Sequence, residues 1–118
     1  MHATDKIAVV EKYIQAFANN DMNLIREIYA ENATVEDPVG SEVRHGMAAI
    51  VEFYEQGFSA GAKLELTGPA RCAGNAVAFP FCVRVGAMKI HVIDVFEFNG
   101  AGKVALMRAF WGPENVTA

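Results

Sequence analysis

At Lys63 the chain changes period. From there on almost every run alternates, as in KLELTG, AVAFPFCVRV, KIHVIDVFEF and KVALMRAFW. Alternation with period two puts successive side chains on opposite faces of a strand. Before Lys63 the apolar residues recur mainly at steps of three and four, the signature of amphipathic helices. Helices first and consecutive strands afterwards restrict the chain to an α+β domain, with helices on one face of a curved, mostly antiparallel sheet.

Three helices are predicted. Thr4 can cap the first, whose stripe is Ile7, Val10, Ile14 and Phe17, with Tyr13 beside it. Asn19, Asn20 and Asp21 form a break, and Asp21 caps a short second helix carrying Leu24, Ile25, Ile28 and Tyr29. The third runs from Gly46 to about Gly57 with Ile50, Phe53 and Tyr54 inward. Between the second and third, ATVED switches to period two and DPVGS turns the chain. FNGAGK, residues 98–103, reads as a glycine-rich hairpin connection between the last two strands. Pro80 removes a ladder donor, which predicts a sheet edge or a bulge there.

The 118 residues make one domain, 1–118, long enough to bury roughly two thirds of the surface that the unfolded chain exposes. With 53% hydrophobic and only 20% charged residues, the composition is apolar for so small a domain and points to an interior cavity, a subunit interface, or both. A net charge of −4 without a Lys/Arg cluster argues against nucleic acid as a partner. No signal-peptide pattern and no apolar span of about 20 residues is present, so the expectation is a soluble, cytoplasmic protein that does not enter a membrane. In that setting Cys72 and Cys82 read as free thiols.

One residue breaks the pattern. In the strand around HVIDVFEF, Ile90, Val92, Asp94, Phe96 and Phe98 share a face, so Asp94 sits among four apolar side chains. An ionised carboxylate there costs several kcal/mol unless paired, and usually goes neutral instead. Taken alone, Asp94 is either an acid kept protonated for chemistry or a structural acid paired with a backbone amide or with an arginine from a neighbouring strand, Arg84 and Arg108 being the candidates.

A second aspartate lies in ATVEDPVGS. Val35 and Asp37 point one way, Thr34 and Glu36 the other, so Asp37 shares the side that already carries an apolar residue while Glu36 faces solvent. Pro38 biases Asp37 toward an extended backbone and holds the carboxylate at a strand end. By itself Asp-Pro also reads as a turn starter, and Tyr13, Tyr29 and Tyr54 as packed aromatics with satisfied hydroxyls. His2, His45 and His91 lack metal-ligand spacing, and no phosphate loop, dinucleotide fingerprint, nucleophile elbow or Cys-His signature occurs. No metal or cofactor is expected. Two apolar-face aspartates and a set of tyrosines would suit proton transfer.

ATVEDPVGS, IDVFEFNGAGKV and Tyr13 within EKYIQAF closely resemble the Δ5-3-ketosteroid isomerases, in matching order over essentially the whole chain. The resemblance implies the conical, barrel-like α+β domain of the nuclear-transport-factor-2-like superfamily, a fold that hosts many activities. It implies Asp37 as general base, with Tyr13 and Asp94 as the two donors of an oxyanion hole. Tyr54 and Tyr29 match positions that support the catalytic tyrosine by hydrogen bonds in some members. Trp111 matches an aromatic position whose indole N–H can bond to the base.

On that resemblance the substrate is a Δ5-3-ketosteroid. Asp37 takes a proton from C4, a dienolate forms, and the proton returns at C6. An ionised Asp94 could only accept a hydrogen bond, so donation requires the neutral acid, an arrangement for which this family is known. Keeping an aspartate neutral at pH 7 means raising its pKa by about three units from about 3.9, or about 4 kcal/mol of differential interaction. Val35, Val39, Phe53, Phe81, Phe96, Phe98 and Phe110 are candidates to line an apolar slot, Phe81 and Phe96 foremost. Family members form homodimers through the sheet, which implies the same here. Competing readings are a same-fold polyketide cyclase or epoxide hydrolase, the latter lacking a visible Asp-Arg-Asp arrangement, and a noncatalytic sterol or lipid pocket.

Overall fold

A computed structural model describes residues 1–118. Three helices, α1 (Ala3–Asn19), α2 (Met22–Ile28) and α3 (Met47–Ser59), pack on one mixed, mostly antiparallel sheet. Its strands are β1 (Tyr29–Glu36), β2 (Arg44–His45), β3 (Lys63–Leu66), β4 (Arg71–Ala73), β5 (Ala76–Val85), β6 (Met88–Phe98), β7 (Val104–Phe110) and β8 (Val116–Thr117). The spatial order is β2-β1-β7-β6-β5-β3, with β4 also on β5 and β8 also on β6. β1 runs parallel to β7, and the other pairings are antiparallel. The α+β architecture is the one expected, and its sheet does not close but stays open with the helices packed on it. No helix is long and apolar enough to cross a membrane.

The break before α2 behaves as read. Asn20 takes a left-handed backbone, and the Asp21 carboxylate accepts from the N–H groups of Asn23 (3.0 Å) and Leu24 (3.3 Å), satisfying two of the donors a helix start leaves open. The FNGAGK hairpin is also there. Asn99 Oδ1 accepts from the N–H groups of Ala101 and Lys103, both at 3.0 Å, and Gly102 supplies a φ of +77°. Cys72 and Cys82 are both thiols.

Several boundaries differ. His2, not Thr4, stands at the N-cap of α1, because Asp5 reaches back to the His2 N–H at 2.8 Å and draws the helix start forward. Ile7 is exposed, and the buried face of α1 runs through Lys6, Val10, Tyr13, Ala16 and Phe17, which puts Tyr13 inside the stripe. Tyr29 opens β1 instead of closing α2. Pro80 lies in β5, an interior strand, so it marks no sheet edge. Its carbonyl accepts from the Thr67 N–H on the side where β3 and β4 adjoin β5, and β3 pairs only from Phe81 onward while β4 pairs only up to Ala78. The missing donor therefore faces the gap between two short strands and costs no ladder bond.

Both ends of α1 are tied to the sheet. The buried Lys6 Nζ donates to the Gly74 carbonyl (2.5 Å) in the β4–β5 turn, and Lys63 Nζ donates to the Phe17 carbonyl (2.8 Å) at the other end. A cation there also complements the negative end of the helix dipole. Between these ties the helix lies on Phe79 and Phe96, both fully buried, each contributing about 1.5 to 3 kcal/mol of transfer free energy. Tyr13 is thereby fixed over the middle of β5 and β6.

Candidate active site

Asp94 occupies the middle of β6, opposite Phe79 on β5 and Ala109 on β7, with Val92 and Phe96 on the same face. It is 1% exposed, and neither carboxyl oxygen has a hydrogen-bond partner. The arginine alternatives are corrected. Arg84 pairs with Glu65 (3.9 Å) and Arg108 with Glu36 (3.3 Å), and neither reaches Asp94. Burial, reinforced by the charge of Asp37, pushes the Asp94 pKa well above its ordinary value.

Asp37 follows β1 directly, at a cis peptide bond to Pro38. The turn after it is held from three sides. Val39 N–H donates to the Ala109 carbonyl (2.8 Å), Ser41 Oγ donates to the Pro38 carbonyl (2.6 Å), and Gly40 N–H donates to Glu36 Oε2 (2.9 Å). Glu36 is thus engaged by Gly40 and Arg108, and its pKa is lowered, first by the Gly40 N–H and then by Arg108. Asp37 itself is half-buried and accepts a 2.7 Å hydrogen bond from Trp111 Nε1. Burial raises its pKa, opposed by the Trp111 bond and by the charge of Arg44. Both aspartates are raised, but only Asp37 has groups that favour its ionised form.

The tyrosines meet. Tyr13 and Tyr54 hydroxyls are 3.0 Å apart, and Tyr54 also hydrogen-bonds with Tyr29, so three hydroxyls from α1, α3 and β1 form one chain. Burial raises all three pKa values well above 10.0, with nearby Asp94 adding to each rise, so they stay neutral. Tyr13 is walled edge-on by Phe17, Phe79 and Phe96, at centroid separations of 5.4, 6.0 and 5.2 Å.

A cavity of about 330 Å³, at the small end of the range for ligand pockets, opens beside Tyr13, Tyr54 and Asp37; Asp94 and Tyr29 lie behind its wall and do not line it. Asp37, Gln56 and Gly57 are the only lining residues that are not hydrophobic, and Tyr13, Tyr54, Trp111, Phe53 and Phe81 share the wall with them. Phe96 does not reach the cavity. It lies beneath Tyr13, while Val35 and Phe98 belong to the core and Phe110 faces outward. Sequence reasoning did not single out Phe17, Leu64, Val83, Val85 or Gln56 for the wall. Ile90 and Val92 also line it, and their shared face with Asp94 was the available signal.

The arrangement joins the half-buried Asp37 carboxyl to a fully buried carboxyl, Asp94, whose pKa is raised, and to the neutral phenol of Tyr13. That set can move a proton and donate hydrogen bonds to a developing anion in an apolar space.

Residues 10–107 match the SnoaL-like domain. The chain is 43% identical over 112 residues to a steroid Delta-isomerase of Nocardioides simplex, covering 90% of this chain and 89% of the relative. Among solved structures it resembles SalBIII, an epoxide hydrolase/cyclase-like enzyme in pyran ring formation in the polyether salinomycin, with a TM-score of 0.91 and 30% identity over 98% of this chain and 96% of that one. On sequence and fold together, the chain belongs to the SnoaL-like family, within the nuclear-transport-factor-2-like fold.

Proposed function

We propose that this protein is a steroid Δ-isomerase that converts Δ5-3-ketosteroids to Δ4-3-ketosteroids by carrying one proton from C4 to C6. The observation that carries the reading is Asp94, fully buried with both oxygens unpartnered beside Tyr13 and Asp37. An unsatisfied buried acid is costly, and a ligand oxygen accepting its proton would remove the cost.

In this mechanism the substrate's C3 ketone lies against Tyr13 and Asp94. Ionised Asp37 removes the C4 proton, and the electron pair moves onto the ketone oxygen, giving a dienolate. Tyr29 donates to Tyr54 and Tyr54 to Tyr13, so the Tyr13 proton is free for that oxygen, and the neutral Asp94 donates a second bond. Protonated Asp37 then returns the proton at C6. The 2.7 Å bond from Trp111 holds the base on one oxygen and leaves the other for the substrate. Loss of one oxyanion donor typically costs about 2.7 to 4 kcal/mol.

The likeness to SalBIII favours a second reading, opening of an epoxide by a hydroxyl of the same substrate: Asp37 would take the hydroxyl proton as its oxygen bonds to the epoxide carbon, and Asp94 would protonate the oxygen released from that carbon. The more similar sequence is the isomerase. One assay separates them: mix the purified protein with a Δ5-3-ketosteroid and follow the ultraviolet band of the conjugated Δ4-3-ketone. Growth above the uncatalysed rate, nearly abolished by Asp37→Asn while steroid affinity persists, is expected. A folded protein that binds the steroid and produces no band overturns the isomerase reading.

The second expected partner is another copy of the chain. Ile93 and Phe110 face each other across β6 and β7 on the side away from the helices, 50% and 43% exposed. Together with the resemblance, this exposed pair supports a homodimer through that face.

A further inference from the structure

We infer that Gln56 reads the end of the substrate remote from the C3 ketone, so that the enzyme favours steroids with a neutral hydrogen-bonding group there over purely hydrocarbon ones. The inference rests on the isomerase reading and concerns a different end of the same cavity.

Along α3 and its C-cap residue, Phe53, Gln56, Gly57 and Ala60 follow one another at the i, i+3, i+4, i+7 spacing of a single helix face, and all four line the cavity. Gln56 is exposed, and it also lines the adjoining groove with Glu42, Arg44 and Glu52. It therefore stands at the opening, whereas Tyr13, which also lines the cavity, is only 3% exposed and belongs to its closed part. A rigid ketone whose oxygen meets Tyr13 must direct its far end toward the opening.

Apart from the reacting groups Asp37 and Tyr13, the other polar side chains of the lining are already engaged. Trp111 Nε1 bonds to Asp37, and Tyr54 bonds to Tyr13 and Tyr29. Away from the reacting groups the wall is hydrocarbon, formed by Leu64, Val83, Val85 and Ile90. Gln56 is the one side chain in that part of the wall able to recognise a polar substituent. Its carboxamide can donate to a ketone or accept from a hydroxyl. Glu42 and Glu52 outnumber Arg44 in the groove beyond, which disfavours an anionic substituent.

The test compares two Δ5-3-ketosteroids that differ only at the far end, one carrying a ketone and the other a methylene group. The readout is the ratio of their kcat/KM values in wild type, in Gln56→Leu and in Gln56→Glu. Both variants should lower the ratio about three- to tenfold, the range of one neutral hydrogen bond. Gln56→Glu keeps the length and polarity of the side chain but lacks the N–H donor, so a loss shared by both variants assigns the preference to donation. A ratio unchanged in both variants, with wild type isomerising both steroids, overturns the inference and leaves the isomerase reading intact. No isomerisation of either steroid by folded wild type overturns both.

Discussion

Replacing Trp111 by Phe keeps a ring beside Asp37 and removes only the Nε1–H that bonds to Oδ1 at 2.7 Å. That bond goes to the ionised form of the base and lowers its pKa against the effect of burial. Hydrogen bonds to charged groups contribute about 1.5 to 3 kcal/mol. At 1.36 kcal/mol per unit that is a displacement of about one to two units. Both partners are half-buried, so solvent screening favours the lower end. The sign follows from the charge: without its donor the carboxylate holds its proton more tightly, and the acid limb of kcat/KM moves to higher pH by about one unit. On the alkaline plateau the base is stronger, so kcat should not fall in proportion. The assay is Δ4-3-ketone absorbance from pH 4 to 9 for both proteins. An unmoved limb would refute the electrostatic role given to Trp111, and a collapsed plateau with an unmoved limb would make the indole a packing element.

Other tests follow from the same geometry. Asp94→Ala should lower kcat about 10²- to 10³-fold, as removal of one oxyanion donor does, with a far-ultraviolet dichroism spectrum like that of wild type. Asp94→Asn addresses stability. A folded-state pKa raised above the unfolded value means that the native state binds the extra proton, so wild-type stability falls as pH rises from about 4 through the raised pKa; the amide lacks this slope, and its gain over wild type in urea melts should grow with pH. Tyr54→Phe breaks the hydroxyl chain at its centre, removing the bonds to both Tyr13 and Tyr29, and should lower kcat more than it raises KM. Ile93→Glu places a charge on the exposed strand pair and should shift sedimentation from dimer to monomer, whereas a wild-type monomer at micromolar concentration would discount that face.

Much of this was legible because strand parity is strict. Counting by two from Ile90 placed Asp94 on the buried face, and the fold leaves it there. Asp21 and the Asn99 hairpin were readable because their side chains satisfy their own neighbours. Features that depend on distant partners were not readable. Tyr29 stands at the end of a helical pattern and yet starts β1, because pairing with Val104, 75 residues later, decides its backbone. Pro80 looked like an edge residue because nothing local shows β3 and β4 ending on either side of it. The far wall escaped notice for the same reason, since Phe17, Leu64 and Val85 come from three elements and no local pattern joins them.

Ala109 carries no chemistry, yet the geometry is referenced to it. Its carbonyl takes the Val39 N–H, it stands opposite Asp94, and Trp111 lies two residues beyond. Strand parity means that inserting or deleting one residue in β7 would turn Ala109 outward and invert everything aligned with it. The three residues 109–111 thus act as a datum line for Asp37, its indole partner and Asp94. Among descendants of this sequence, changes in chain length should collect in the exposed turns and spare β7, and any enlargement of Ala109 would displace the base and the acid together.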